Sequence, residues 1–144
     1  MRKDTGFTLM EVMIAIAIIG ILCGIATPNM IKWLPRHRVG SAAREVMSTV
    51  EFARISAIKT NADVTVVLDW GDDSLTVVDA GGNTLRTRRL TGNVDLDDID
   101  LGGSVVFNGH GFSTTSGSLM VQNKMDAAIN RRINLTLGGN VSIQ

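Results

Sequence analysis

The sequence is poor in cysteine, proline and aromatic residues. With one cysteine among 144 residues, no disulfide can form within the chain. Aromatic residues make up 4% of the chain and tyrosine is absent, so a hydrophobic core has to be built from Val, Ile, Leu and Met. The 14 basic and 14 acidic residues balance, so no overall field favours nucleic acid or anionic lipid.

The sequence also lacks the motifs of common catalytic sites. It contains no Gly-x-Ser-x-Gly elbow, no phosphate-binding loop and no His-Glu-x-x-His helix. The two histidines, His37 and His110, are far apart and neither begins a metal-binding spacing. We therefore expect a protein that is not an enzyme and needs no cofactor.

A long apolar segment dominates the N-terminal part. No side chain between Val12 and Thr27 is charged, and the apolar stretch continues to Ile31. Counted from Phe7 it covers about 25 residues, enough for a helix to cross a hydrocarbon core of about 30 Å. A secretory signal would need a small-x-small cleavage pattern, and a lipoprotein signal a small residue before Cys23; neither fits well. We expect a membrane-spanning helix.

The segment "GFTLMEVMIAIAIIGILCGIATP" resembles the class III signal of type IV pilins and type II secretion pseudopilins. The shared features are a short basic leader, Gly6, Phe7, Glu11 and an unbroken apolar helix with Pro28. The resemblance implies that a prepilin peptidase cuts between Gly6 and Phe7, removes residues 1–6 and methylates the new amine of Phe7. It also implies an inner-membrane assembly platform and other pilins or pseudopilins as partners.

Basic residues flank the apolar segment on both sides. Arg2 and Lys3 precede it and favour a cytoplasmic N-terminus. Lys32, Arg36 and Arg38 follow it and reduce the contrast between the two sides. Together with the resemblance, this predicts a single-pass protein of the bacterial inner membrane whose head lies in the periplasm until it enters a pilus or pseudopilus.

Glu11 is an unusual residue for a membrane segment. A charged acid at the bilayer centre costs about 2.5–3.5 kcal/mol, so such residues mark function. Glu11 lies one helical turn after Phe7, about 6 Å deeper along a helix axis. The resemblance implies that it pairs with the N-terminal ammonium of a neighbouring subunit during assembly. The alternative is an interfacial acid that reaches water. Pro28 removes one helical hydrogen bond and is expected to kink or loosen the helix.

A second helical pattern follows the apolar segment. Six small or aliphatic residues recur at alternating spacings of four and three and form one stripe: Val39, Ala43, Val46, Val50, Ala53 and Ala57. The helix should end near Thr60 and Asn61. We therefore predict one long helix, with residues 7–31 as the membrane and assembly part and residues 32–61 as an amphipathic continuation.

Residues 62–144 change to a period of two. The predicted short strands are "VTVVLD", "SLTVVD", "TLRTRRL", "SVVFN", "SLMVQ", "RINLTL" and "NVSIQ". The turns "GDD" at 71–73, "AGGN" at 80–83 and "LGGN" at 137–140 predict hairpin connections. A long helix followed by an antiparallel β-rich head is an α+β fold.

The head resembles the GspH/FimT family, which includes minor pseudopilins of type II secretion and minor pilins of the FimU and FimT kind. The matching residues are Ala53, Arg54, Ala57, Phe107, Gly109 or Gly111, and the closing glycine-containing hairpin. The resemblance implies a structural subunit near the filament tip or in an initiation complex. The sequence does not distinguish a type IV pilus from a type II secretion system.

The alternative function is a pilus-associated DNA receptor for natural transformation. Some DNA-binding members of this family end with Gly-Arg-x-Arg, but residues 139–142 read Gly-Asn-Val-Ser and lack both arginines. The remaining basic candidates are Arg86, Arg88 and Arg89 on one predicted strand, and Arg131 and Arg132 on another. A solvated strand face is the simpler interpretation of such a pattern.

Four acids lie close together in "VDLDDID". Asp95, Asp97, Asp98 and Asp100 could in principle hold a calcium ion. The EF-hand pattern, with its central glycine and closing glutamate, is absent. An exposed edge or loop made soluble by acids is the simpler interpretation, so no metal is expected.

Overall fold

The computed structural model describes residues 7–144, apart from the side chains of residues 28, 29, 31 and 32. The predicted leader, including Gly6, lies outside the described residues. The chain divides into two compact units, Met1–Leu34 and Pro35–Gln144, which are described in turn.

One helix, α1, runs from Leu9 to Thr60, as the two successive helical patterns predict. Its C-terminus is a Schellman motif, in which Asn61 adopts a left-handed φ of 48°. The Asn61 N–H bonds to the Ile58 carbonyl and the Ala62 N–H to the Ala57 carbonyl. The predicted end of the helix is therefore confirmed.

In the first unit, every side chain described between Leu9 and Thr27 is exposed. These 19 residues have a mean hydropathy of 2.6 and make α1 long and apolar enough to cross a membrane. The Thr27 hydroxyl donates to the Cys23 carbonyl, so this polar group is satisfied within the helix. The segment thus offers an almost wholly apolar surface.

The head contains eight antiparallel strands in two sheets. The strands are β1 (Val64–Asp69), β2 (Ser74–Asp79), β3 (Thr84–Arg89), β4 (Val94–Asp98), β5 (Ser104–Phe107), β6 (Gly117–Asn123), β7 (Asp126–Leu135) and β8 (Val141–Ile143). Sheet 1 has the order β3-β2-β1-β5 and sheet 2 the order β4-β6-β7-β8. The three predicted hairpin turns join β1 to β2, β2 to β3, and β7 to β8, so all three are confirmed.

Two parts of sheet 2 differ from the strands predicted from the sequence. The acidic segment forms β4, an edge strand in which Val94 and Leu96 are buried while Asp97 is exposed. β7 begins at Asp126, because its first residues continue the hairpin from β6 through a register shift. Residues 94–97 of β4 do alternate between apolar and acidic, but aspartate is uncommon in strands. In β7 the register shift breaks the regular period.

The predicted helical stripe is the side of α1 that enters the core. Its six residues are between 0 and 4% exposed. Three of them are alanines, which let a strand approach the helix closely. A small cavity lined entirely by aliphatic side chains, among them Val50 of α1, Leu68 of sheet 1 and Leu119 of sheet 2, lies where the three layers meet. The helix and both sheets therefore share one aliphatic core.

Candidate assembly segment and head junction

Thr8 caps the start of α1. Its hydroxyl oxygen accepts the Glu11 N–H at 3.3 Å, and its carbonyl accepts the Val12 N–H at 3.3 Å. With Thr8 as N-cap, Glu11 occupies the third helical position, which is the Thr-x-x-Glu spacing of a capping box. This signal could have been recognised from the sequence and was missed. It places the helix start at Leu9, two residues after Phe7.

The Glu11 carboxylate takes no part in this cap interaction. Its side chain is exposed, and among residues 7–144 no hydrogen bond or ion pair reaches the carboxylate. The helix N-terminus favours a negative charge at this position. Around it lie exposed apolar side chains, including Phe7 and Met10. Glu11 is therefore an acidic residue within an exposed apolar surface.

Pro28 lies within the unbroken helical span of α1. Proline has no N–H, so the helical bond to the carbonyl four residues earlier is not made. The helix continues past this position, and the predicted kink or loosening stays a prediction.

Three segments of the head meet at Arg54. Its Nε donates to the Gly111 carbonyl at 3.0 Å, which ties α1 to the turn after β5. Gly139, in the hairpin between β7 and β8, has a φ of 73°. A Cβ at Gly139 would overlap the Gly111 carbonyl oxygen and lie 3.0 Å from Arg54 Nε. We call these three residues the head junction.

The turn that carries Gly111 is held by Asn108. Its side-chain oxygen accepts the N–H groups of His110 and Phe112, both at 3.0 Å. Gly109 of the same turn packs on the end of α1, where a Cβ would lie 2.8 Å from the Asn61 backbone. Arg54, the glycines of this turn and the closing hairpin, which are among the head residues behind the family resemblance, are thus spatial neighbours. Their positions in the sequence do not reveal this.

The arginines of β3 are already engaged within the head. Arg86 places its guanidinium carbon 3.7 Å from the centroid of the Phe52 ring. Arg88 Nε lies 3.7 Å from a Glu45 carboxylate oxygen. These two side chains therefore reach α1 instead of forming a uniformly solvated row. Arg89 has its own ion pair, with Asp72.

Arg131 and Arg132 are exposed on β7 of sheet 2, whereas Arg86, Arg88 and Arg89 belong to sheet 1. As consecutive strand residues, Arg131 and Arg132 face opposite sides of their sheet. The structure therefore does not unite the five predicted DNA-contact arginines on one strand face, and DNA contact stays a prediction.

The four clustered acids have different surroundings and different hydrogen-bond partners. Asp98 accepts the N–H groups of Leu101 and Gly102 at 2.8 and 2.9 Å and closes the turn after β4. Asp100 accepts both the N–H and the hydroxyl of Ser118. Asp95 is half-buried and accepts a side-chain N–H of Gln122 at 3.5 Å, whereas Asp97 is exposed. Within residues 7–144, no three acidic, cysteine or histidine side chains are arranged to hold a metal ion.

Asp73 is a buried polar centre that the sequence patterns do not indicate. It accepts the Leu96 N–H at 3.1 Å, forms an ion pair with Lys124, and its carbonyl accepts the Leu90 N–H at 2.8 Å. Burial acts to raise the pKa of Asp73, but hydrogen bonds from Lys124 and Leu96 outweigh it and hold the pKa below its usual range. The contacts join the β1–β2 turn of sheet 1 to sheet 2.

An exposed apolar helix that continues into a head of antiparallel sheets defines a pilin-like protein. The structure is similar to the type IV minor pilin FimU of Pseudomonas aeruginosa (TM-score 0.66, 16% identity, 76% of this chain and 90% of that chain). It is also similar to the minor pseudopilin EpsH of the Vibrio cholerae type 2 secretion system (TM-score 0.61, 15% identity, 74% and 96%). At these identities the likeness establishes the fold.

The chain belongs to the family described as Type II transport protein GspH, which it matches over residues 42–139. Residues 1–27 match the prokaryotic N-terminal methylation motif. The chain is therefore a structural subunit of the minor pilin and pseudopilin kind, and not an enzyme.

Curated relatives match shorter parts of the chain. A fimbrial protein of Pseudomonas aeruginosa is 40% identical over 67 residues, which are 46% of this chain and 38% of that protein. The type II secretion system core protein G of Vibrio cholerae is 55% identical over 31 residues, or 22% of this chain and 21% of that protein. The chain thus spans between about a fifth and two fifths of the relatives' length.

Proposed function

We propose that this chain is a minor subunit of a type IV pilus or of a type II secretion pseudopilus, placed in a tip or initiation complex. Before assembly the apolar half of α1 anchors it in the inner membrane, with the N-terminus in the cytoplasm and the head in the periplasm. Prepilin peptidase removes residues 1–6 and methylates the amine of Phe7, and an inner-membrane platform then moves the chain into the filament.

The observation that carries this proposal is the complete exposure of the apolar residues from Leu9 to Thr27. Burying aliphatic surface stabilises by about 25 cal/mol per Å², so this helical surface requires a lipid or protein environment. Lipid tails supply it before assembly and the helices of neighbouring subunits supply it afterwards. The proposed division is a leader at 1–6, a membrane and assembly part at 7–31, an amphipathic part at 32–61 and a head at 62–144.

In this proposal, Glu11 sets how far neighbouring subunits are displaced along the filament. The Thr8 cap starts the helix two residues after Phe7, so the new ammonium and the carboxylate lie about one helical turn apart along the axis. A neighbouring subunit displaced along the filament brings its ammonium to this carboxylate. In apolar surroundings both charges are costly alone, so the pairing selects one displacement between subunits.

The experiment compares Glu11→Gln with Glu51→Gln, a matched change at an exposed acid on the head part of the same helix. Each full-length variant is expressed with the other subunits of its filament, and its fraction in sheared filaments is measured. We expect Glu11→Gln to lower incorporation by more than about tenfold, because one partner of a buried pair is removed. Glu51→Gln should incorporate normally. Equal incorporation of both variants would contradict the proposal.

A further inference from the structure

Four strongly exposed apolar side chains surround the head junction. Ile55, Ile58, Phe112 and Leu137 are each between 48 and 57% exposed, and we call them the junction patch. They come from α1, from the turn after β5 and from the hairpin between β7 and β8. Large apolar side chains that cluster on a surface mark interaction sites more often than isolated ones do.

The contacts of the junction show that these side chains are neighbours. Ile58 Cδ1 lies 2.7 Å from the position of a Cβ on Gly111, the residue before Phe112. The Ser113 N–H, directly after Phe112, bonds to the Leu137 carbonyl at 2.9 Å. Ile55 lies one turn before Ile58 on the same helix. The patch is therefore continuous across three segments that are distant in sequence.

Other exposed apolar residues of the head do not form such a cluster. Among the described residues of the strands and their connections they are Val67, Leu85, Ile99 and Met125. These residues lie on β1, on β3, after β4 and in the β6–β7 hairpin, respectively. Single exposed apolar side chains are ordinary on protein surfaces.

Arg54 supplies a charge at the centre of the junction patch. It is half-buried, and within residues 7–144 its Nε bond to the Gly111 carbonyl is the only polar contact of the guanidinium. By contrast, Arg88, Arg89 and Lys124 all have carboxylate partners. The two terminal nitrogens of Arg54 therefore keep donors for a carboxylate, which guanidinium groups bind in a two-pronged geometry.

We infer that the junction patch docks the head of a different pilin-family subunit, which places a carboxylate against Arg54 between apolar side chains. A symmetric contact between two copies of this chain would bring Arg54 close to its own counterpart, so charge complementarity favours a different subunit. The inference rests on the proposed function, since it assumes that the chain meets other subunits in a filament.

Cross-linking from defined positions tests this inference. A photoreactive amino acid replaces Ile55 or Leu137 in the full-length chain, expressed in membranes with the other subunits of its filament. Val67 and Met125 serve as control positions, because both are exposed and outside the patch. We expect positions 55 and 137 to yield cross-linked peptides from the head of another pilin-family subunit, identified by mass spectrometry, and the control positions to yield none.

Variants then test the chemistry of the contact. Ile55→Glu and Leu137→Glu change exposed side chains outside the Arg54–Gly111 bond, so the head should unfold as in the wild type. Each should lower the yield of the cross-link from the other position, and Arg54→Gln should lower both yields by at least about tenfold through loss of the charge pair. Unchanged yields in Ile55→Glu and Leu137→Glu would overturn the inference.

The outcomes separate this inference from the proposed function. If the wild-type chain enters filaments while positions 55 and 137 cross-link to a second copy, to lipid or to nothing above the controls, the inference fails and the proposed function stands. If the wild-type chain never enters filaments, the proposed function fails, and the inference that rests on it fails as well.

Discussion

Residues 9–27 and residues 39–57 belong to the same helix but differ in what covers their apolar side chains. In the first segment every described side chain is exposed. In the second, one stripe is 0–4% exposed, and most residues outside the stripe are polar or charged, with Ile55 as an exposed apolar exception. Both have helical backbones, and the distribution of charge around the helix separates them. The apolar surface of a helix that is apolar all round has to be covered by lipid or by another protein. The apolar stripe of an amphipathic helix is buried against the core of its own chain.

The difference assigns stability and assembly to different residues. Changes in the striped part and its core should alter unfolding of the head, and changes in the exposed part should alter membrane insertion and incorporation into filaments.

Replacing a core aromatic should destabilise the head most. Phe107 is 0% exposed and Phe112 is 56% exposed, five residues later. We expect Phe107→Ala to lower the free energy of unfolding by about 3–5 kcal/mol, because it leaves a cavity. Phe112→Ala should change it by less than about 0.5 kcal/mol. Urea unfolding of both full-length variants measures the contrast, and similar losses in the two would show that the core is wrongly placed.

Adding a methyl group at the head junction should have the next largest effect. Gly139→Ala combines a positive φ with a clash against the Gly111 carbonyl, so we expect a loss of about 1–3 kcal/mol. At Gly138 the added Cβ meets only Thr136 Oγ1 at 3.7 Å, and Gly138→Ala should be nearly neutral. Equal thermal shifts for the two alanine variants would argue against a tight junction.

Asp73 should make the stability of the head sensitive to acid. Its pKa lies below the unfolded value of about 3.9, so its contribution is complete above that pH and is lost as the pH falls through the folded-state pKa. We expect the wild type to be more stable than Asp73→Asn near neutral pH. The difference should shrink below about pH 4. A difference that grows as the pH falls would contradict this assignment.

The smallest effects should come from the arginines of β3. Arg88 and Glu45 are both about half exposed, and such pairs contribute roughly 0–1 kcal/mol. Arg88→Ala should therefore lower the free energy of unfolding slightly, and less at high salt.

Gel shifts at several salt concentrations test the DNA alternative, using a variant in which Arg86, Arg88 and Arg89 are replaced together. Tight binding with a steep salt slope that the triple variant loses would favour a DNA receptor.

The sequence contains most of the information about the helix and the regular strands. The stripe from Val39 to Ala57 predicts which side of α1 is buried, and Asn61 predicts where it ends. β4 was not predicted as a strand because aspartate is uncommon in strands, although Val94 and Leu96 alternate with acids and an exposed acidic edge or loop was expected here. Local periodicity predicts which residues share one side of a helix or strand, and it gives no information on which elements pack together.

Contacts between distant residues could not be predicted in the same way. Asp73 lies 51 residues before its partner Lys124, and no local pattern links them. Arg54, Gly111 and Gly139 come from three elements that only the complete fold brings together. The Thr8 cap is different, because the Thr-x-x-Glu spacing of Thr8 and Glu11 is a local signal from which the start of α1 is predictable. Removal of residues 1–6 stays a prediction.

Assembly into a filament depends most directly on the new N-terminus at Phe7. The measurement is the intact mass of the full-length chain purified from membranes with and without prepilin peptidase, with Gly6→Val as the matched control. With the peptidase, the wild-type mass should correspond to residues 7–144 plus one methyl group, while the control keeps residues 1–6. A wild-type chain that retains residues 1–6 in the presence of active peptidase would contradict the account.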